Sequence, residues 1–347
     1  MPLLSISIPT YNRAACLKRL LTILHEQAAN DPRVEIIVSD NASTDNTREV
    51  VEDFLRRGMQ FRYVRNPVNV GGDENIRRCY TMSGGKYAWV FGDDDVIAPR
   101  ALRKVLALLE GSQYDLIFLA PYHFPGDSDD FLPPPRLWPD TCNVTSDPVR
   151  LADLVDTHSD LMFISSVLIN QERAKEVVRP DLTSYVAGNI IQLAWILPVL
   201  KNLRRGIYVQ AQWMGQATLN AAGGYDAGYY YGRRFRNALD SWLEPGSPLE
   251  TRLINNHLTM WAAPWLDWKW NSDKMSSRHK IDIANPHPNL LPIYGRNFRY
   301  WLCVYPLIVL PRGLAKAWAF PWLVRRKLLR LWYQTITPSI QLPGAKD

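Results

Sequence analysis

The sequence predicts an α/β chain, with a mainly parallel sheet flanked by helices and a helical extension at the C-terminal end. Three observations carry this expectation. Strand-like and helix-like patterns alternate through the first 120 residues, the segments joining successive strands are long enough to cross over a sheet, and the strands end in polar residues. Alternation of this kind favours parallel pairing with helices on the faces of the sheet. Ligands of such sheets bind beyond the carboxyl ends of the strands.

Each element has a local reason. "LLSISIP" (3–9) reads as a short buried strand, and after "TYNR" Leu17, Leu20, Leu21 and Leu24 recur at helical spacing, with Asn12 as the expected N-cap. "VEIIVSD" (34–40) is a second buried strand, and "NASTDNTREVVEDFLRR" supplies turn residues and then a helix. "FRYVRN" (61–66) is a third strand, "VGGDENIRRCYTMS" a Gly-rich turn entering a helix, and "YAWVFGDDD" (87–95) a fourth strand. "RALRKVLALLE" is a helix, and "YDLIFLA" (114–120) a fifth strand. Their ends gather Pro9, Thr10 and Tyr11, then Asp40 and Asn41, then Asn66, then Asp93, Asp94 and Asp95 along one cleft edge.

The aspartate run raises a question of charge. Adjacent carboxylates in a poorly solvated place disfavour one another's ionisation unless a cation or a set of donors compensates, so something positive is expected there. A nucleotide-dependent enzyme fits. No G-x-G-x-x-G follows the first strand and no G-x-x-x-x-G-K-[ST] occurs, which leaves the dinucleotide fold and the P-loop without support.

Composition narrows the setting. The 347 residues, 47% hydrophobic and 21% charged, suit one large catalytic domain with an appendage, or two domains. Cys16, Cys79, Cys142 and Cys303 are scattered without a C-x-x-C or zinc-like spacing, so free thiols in a reduced compartment are expected. The start, "MPLLSISIPTYNR", lacks the pattern of a signal peptide, and the expected location is the cytosol. The net charge is +6, yet Arg296, Arg299, Arg312, Lys316, Arg325, Arg326, Lys327 and Arg330 place +8 between residues 296 and 337 with no acidic residue, leaving −2 for the rest.

"SISIPTYNRAACLKRLL", "VEIIVSDNASTDNTREVV", "FRYVRNPVNVGG" with a following Asn, and "YAWVFGDDDVIAP" resemble, in order and spacing, the successive signatures of glycosyltransferase family 2, inverting sugar transferases of the GT-A fold. "FISSVLINQERAKEVV", "GNIIQLAWIL" and "GIYVQAQWM" are similar to the subgroup of abequosyltransferases and other O-antigen or capsule sugar transferases. The resemblance implies a GT-A domain over 1–245, with a nucleotide-sugar half (1–120) and an acceptor half (121–245), and a helical region over 246–347. It further implies a DxD motif in which Asp93 and Asp94 face the donor, Asp93 at the ribose, and Asp95 binds Mn²⁺ or Mg²⁺ bridging the diphosphate. Pro9, Thr10, Tyr11, Arg13, Asp40, Asn41, Asn69, Gly71 and Asn75 match donor-binding positions.

Two family features are missing from the sequence. Where relatives carry a Glu-Asp pair supplying the base for the acceptor hydroxyl, this chain has Gly188 and Asn189, so His158, Asp160 and Asp181 become the base candidates, each with an alternative as a surface or capping residue. A His that often completes the metal site near "GIYVQAQWM" is replaced by Gln212 and Trp213, which leaves that position to water or another side chain.

Two further segments bear on partners. "NAAGGYDAGYYYGRRF" (220–235) has the composition of a lid, with Tyr229, Tyr230 and Tyr231 as walls and Arg233 or Arg234 as phosphate partner, or of an ordinary surface loop. Leu258, Trp261, Trp265 and Trp268 form a helical stripe of core or interface type, interrupted by Pro264. The tail sets Trp301, Trp318, Trp322 and Trp332 among the basic residues, and its apolar runs are too short to span a bilayer. It reads as an interfacial segment on an anionic membrane, with packing on the catalytic domain or a dimer contact as alternatives. No nucleic-acid recognition module accompanies the charges.

The expected protein is thus a metal-dependent glycosyltransferase, peripheral on the cytoplasmic face of the inner membrane, moving a sugar from a nucleotide-sugar to a lipid-linked (polyprenyl diphosphate) saccharide in O-antigen or capsule biosynthesis. A sugar nucleotidyltransferase and a catalytically silent scaffold in a polysaccharide-assembly complex are the alternatives.

Overall fold

A computed structural model describes residues 1–28, 30–125, 141–185, 190–218, 229–260, 287–321 and 324. Among them nine strands form one sheet: β1 (Leu4–Thr10), β2 (Val34–Asp40), β3 (Arg62–Arg65), β4 (Tyr87–Val90), β5 (Val96–Ile97), β6 (Leu116–Pro125), β7 (Cys142–Thr145), β8 (Val167–Asn170) and β9 (Gly206–Thr218). Their order is β3-β2-β1-β4-β8-β6-β9-β5, with β7 also on β9.

The expected α/β architecture is present, and its parallel part is the N-terminal half. β1 pairs in parallel with β2 and β4, and β2 with β3. Beyond β4 the sheet is mixed. β8 runs antiparallel to both β4 and β6 because the chain crosses the carboxyl edge of the sheet, through turns at Thr157–Leu161 and Ile164–Ser166, before entering it. β6 and β9 are again parallel.

Side-chain alternation divides the core between the two faces of the sheet. Tyr87, Trp89 and Phe91 join Ile6, Ile8 and the leucines of α1 (Ala14–Ala28) on one face, with α2 (Thr47–Arg56) and α4 (Ala101–Gly111). Ala88 and Val90 meet Cys79 and Tyr80 of α3 (Gly72–Met82) on the other, with α5 (Pro148–Leu154), α6 (Gln171–Val177), α7 (Leu193–Lys201), α8 (Phe235–Trp242) and α9 (Pro248–Met260). Leu290 and Tyr294 of α10 (His287–Tyr294), and then Tyr300, Val304, Leu307, Ala315 and Ala319, enter that same second core.

One local expectation is corrected. Asn12 does not cap α1; it sits at φ +52° and its side-chain carbonyl accepts from Thr44 N at 2.7 Å. Asp45 does the capping instead, accepting from Ala14 N at 3.0 Å and so tying the turn after β2 to the helix after β1. The two turns become one rigid rim.

No helix among the described residues is long and apolar enough to cross a membrane. Trp301 and Trp318 are 44% and 43% exposed, and their indole N–H groups donate to the carbonyls of Gly295 and Leu302, both at 2.8 Å. Arg312 is exposed. Trp322, Arg325, Arg326, Lys327 and Arg330, and the stripe residues Trp261, Trp265 and Trp268, lie outside the described residues; Leu258 of that stripe is buried in the core.

Candidate active site

Because β1 to β4 are parallel, their carboxyl ends share one edge, and the aspartates arrive there held by named partners. Thr10 Oγ1 donates to Asp93 Oδ2 at 2.7 Å, and Arg13 Nη1 donates to Asp93 Oδ1 at 3.1 Å and to Asp94 Oδ2 at 2.8 Å. Arg19 Nη2 donates to the Asp94 carbonyl at 2.7 Å. Asp95 is gripped from the far half of the sheet, by Ser165 Oγ at 2.5 Å on Oδ2 and Ala217 N at 3.0 Å on Oδ1. Ser165 in turn accepts from Gly92 N at 2.8 Å, and its carbonyl accepts from Trp89 Nε1 at 2.7 Å. Gly92 is required by space: a Cβ there would lie 2.7 Å from Asp95 Oδ2 and 3.1 Å from Asp94 Oδ1.

Arg13 supplies part of the positive charge that the aspartate run calls for. It does not supply enough. Burial pushes the Asp93 carboxyl up to about 6, against the pull of Arg13, and burial together with Asp94 raises Asp95 well above the usual carboxylate range. Burial and then the same two carboxylates, Asp93 and Asp94, push the Cys16 thiol up to about 11, which makes it a poor nucleophile. The edge favours a further cation.

A hard divalent ion suits this donor set. Among the described residues no three Asp, Glu, His or Cys side chains form a ready-made cage. Mg²⁺-type ions are commonly held by one or two carboxylates with substrate phosphates and water completing the shell, and Asp95 offers such a carboxylate.

The other positions expected to bind the donor divide into buried and exposed groups. Asp40 is fully buried, with Ser43 N on Oδ1 at 2.8 Å and Tyr63 OH on Oδ2 at 2.7 Å. Asn41 accepts from Val70 N at 2.9 Å and Asn66 Nδ2 at 3.0 Å, and donates to Asn69 Oδ1 at 2.9 Å. Asn75 accepts from Ser39 Oγ at 2.7 Å and from Asn66 Nδ2 at 3.0 Å. These buried groups brace the turn at Asn69 and Gly71, whose φ of +87° suits glycine. Tyr11, Asn69 and Gly71 are exposed, and Pro9 and Arg13 partly so.

The three base candidates are not brought together. His158 stacks on His257 with centroids 4.7 Å apart, and burial drives its pKa down to about 4, so the ring is neutral. Asp160 is fully buried and accepts from Asp156 N at 2.8 Å. Asp181 lies on the surface, lowered by the Thr183 hydroxyl and amide it accepts from. Gly188 and Asn189 lie outside the described residues. Of the residues expected in a lid or surface loop, Arg233 and Arg234 sit 6.0 and 4.9 Å from the Tyr229 ring, in a turn tied to α10 by Tyr294 OH donating to Gly232 O at 3.3 Å.

Sequence reasoning missed Arg19, Ser165, His123 and Gln216. β9 continues to Thr218, and the residue of that strand that reaches Asp95 is Ala217 rather than Gln212 or Trp213. His123 of β6 is exposed and stands in register with Gln216. The alternating pattern running on past Met214 was the available signal.

Residues 5–169 match the family model described as glycosyl transferase family 2. Those residues are a family 2 glycosyltransferase domain. The chain is 32% identical over 180 residues to abequosyltransferase RfbV of Salmonella typhimurium, a match covering 49% of this chain and 54% of RfbV. It is 30% identical over 107 residues to the GalNAc(5)-diNAcBac-PP-undecaprenol beta-1,3-glucosyltransferase of Campylobacter jejuni, covering 30% and 34%. The chain therefore spans about half or less of the length of these relatives. In fold it is similar to S. aureus TarS 1-349, solved in complex with UDP-GlcNAc, with a TM-score of 0.58 at 15% identity over 100% of this chain and 98% of that one. It is also similar to mannosyltransferase PcManGT from Pyrobaculum calidifontis, solved in complex with GDP-Man and Mn²⁺, with a TM-score of 0.54 at 15% identity over 95% and 87%. The architecture is the mixed α/β, GT-A-like one.

Proposed function

We propose that this chain is a divalent-metal-dependent glycosyltransferase that moves a sugar from a nucleotide-sugar to a lipid-linked, polyprenyl diphosphate saccharide in surface polysaccharide (O-antigen or capsule) biosynthesis, at the cytoplasmic face of the membrane. The convergence of Thr10, Arg13 and the three aspartates on the carboxyl edge of a family 2 domain carries this reading. The names of RfbV and the Campylobacter enzyme support the sugar-transfer and lipid-linked parts. The exposed Trp301, Trp318 and Arg312 support a surface that rests on anionic lipid.

Asp95 would hold the cation, which when bound neutralises the diphosphate and the charge that grows on it as the sugar leaves. The chain's own residues do the rest. Thr10 and Arg13 fix Asp93 and Asp94 at the donor, and the asparagine lattice keeps the turn at Asn69 and Gly71 in place beside it. In the transfer the acceptor oxygen bonds to the anomeric carbon, the bond from that carbon to the diphosphate breaks, and the hydroxyl proton passes to a base on the protein. The packing positions of His158 and Asp160 and the surface position of Asp181 leave His123, exposed two strands from Asp95, as the base.

The test is transfer itself. Purified protein given radiolabelled nucleotide-sugars, Mn²⁺ and bacterial membrane extract should form a butanol-extractable labelled lipid, and Asp95→Ala should not. Nucleotide binding without any labelled product across donors and extracts would favour the scaffold role instead.

A further inference from the structure

The end of β9 places an amide opposite the aspartate that matters most. β5 and β9 are antiparallel, with Val96 opposite Gly215 and Ile97 opposite Met214, and Ala98 N donates to Trp213 O at 2.9 Å. That bond makes 98/213 and 96/215 the hydrogen-bonded positions of the ladder. The paired ladder ends at Val96 and Gly215, so Asp95 and Gln216 are the next residue of each segment. The 3.0 Å bond from Ala217 N to Asp95 Oδ1 holds the two segments together at that point.

A Cβ on Gly215 would run into Val96 and Tyr122, which belong to the core packed on α1 and α4, so the alternation of β9 turns Gln216 to the opposite face. There the Gln216 Oε1 atom is buried and accepts no hydrogen bond. A buried acceptor left unsatisfied costs about 1–3 kcal/mol, and such groups in native proteins call for an explanation.

We infer that Gln216 Oε1 is a ligand of the divalent cation at Asp95. The inference rests on the metal-dependent reading above. Two neighbouring ligands of an octahedral ion with bonds of about 2.1 Å lie about 3 Å apart, a gap that Asp95 and Gln216, each next to the last pair of the β5–β9 ladder, can close. The carboxylate of Asp95 and the carbonyl of Gln216 are hard oxygen donors, which select Mg²⁺ or Mn²⁺ over softer ions. The amide does not titrate, so proton release on metal binding comes from the carboxylates alone.

Mn²⁺ binding to the full chain, read from the electron paramagnetic resonance signal of the free ion, tests this without turnover. The metal is titrated alone and with UDP, CDP, GDP and dTDP in turn, for wild type, Gln216→Ala, Gln216→Glu and Asp95→Ala. The expected result is that Gln216→Ala weakens Mn²⁺ at least tenfold, Gln216→Glu retains or tightens it, and Asp95→Ala abolishes it. Wild-type affinity in Gln216→Ala, or weakening in Gln216→Glu, overturns the inference while the site at Asp95 stands. Wild type that binds no Mn²⁺ with any nucleotide overturns the metal-dependent reading and this inference with it. If Gln216→Ala fails to fold, Gln216→Glu decides alone.

Discussion

Replacing Asp95 with asparagine should stabilise the metal-free protein while destroying its cation site. Asp95 Oδ2 and Asp94 Oδ1 lie 2.7 and 3.1 Å from the point where a Gly92 Cβ would stand, and so within about 6 Å of each other. Two unit charges at that distance repel by about 3 kcal/mol at an effective dielectric constant near 20. The amide keeps the acceptor for Ala217 N but meets Ser165 Oγ with a donor where that hydroxyl now donates, a mismatch worth about 1 kcal/mol. The net gain is about 2 kcal/mol, or roughly 3 °C in Tm for a chain of this length. The pH dependence follows from the raised carboxyls. Asp93 and Asp95 both titrate higher in the folded than in the unfolded chain, so their contribution is fully present below about pH 4. It is lost as the pH rises through about 6 for Asp93 and through the raised range of Asp95. The advantage of Asp95→Asn should thus be near zero below about pH 4 and grow as the pH rises above it, in thermal melts run with EDTA. A variant that melts below wild type at every pH would refute the reasoning, since the hydrogen bonds of the carboxylate would then outweigh the repulsion.

Gly92→Ala should push the Asp94 and Asp95 carboxylates out of place and weaken Mn²⁺-nucleotide binding at least tenfold by calorimetry, with a melting temperature within a few degrees of wild type. His123→Gln should leave nucleotide affinity unchanged and cut kcat by about 10²–10⁴-fold. Paired Trp301→Ser and Trp318→Ser changes should reduce co-sedimentation with phosphatidylglycerol vesicles several-fold, while wild type should bind phosphatidylcholine vesicles weakly.

Much of the N-terminal half was legible because its signals are local. The apolar runs of β1 and β2 and the leucine spacing of α1 depend on neighbours in sequence, and parallel pairing of β1 to β4 follows from the helices between them. The antiparallel course of β8 was not legible, since it depends on where the chain crosses the sheet edge. The cap of α1 shows the same limit: Asn12 has the right residue type, but Asp45, from another turn, has the right position. In the site, Thr10 and the aspartates could be read from strand ends, whereas Ser165 and Ala217 reach Asp95 only through the folding of the second half onto the first. His158 and Asp160 looked available as bases, and it is tertiary packing, against His257 and within their own turn, that covers them.

The central claim is that the carboxyl edge binds a nucleotide diphosphate through a cation at Asp95. Thermal shift with UDP, CDP, GDP and dTDP, each with Mn²⁺ and with EDTA, on wild type and Asp95→Ala, addresses it most directly. Because ligand at 100 times its Kd stabilises by about 2.7 kcal/mol, one nucleotide should raise the melting temperature of wild type by several degrees with Mn²⁺, and by little with EDTA or in Asp95→Ala. No shift with any nucleotide, or a shift indifferent to EDTA and to the substitution, would contradict the account.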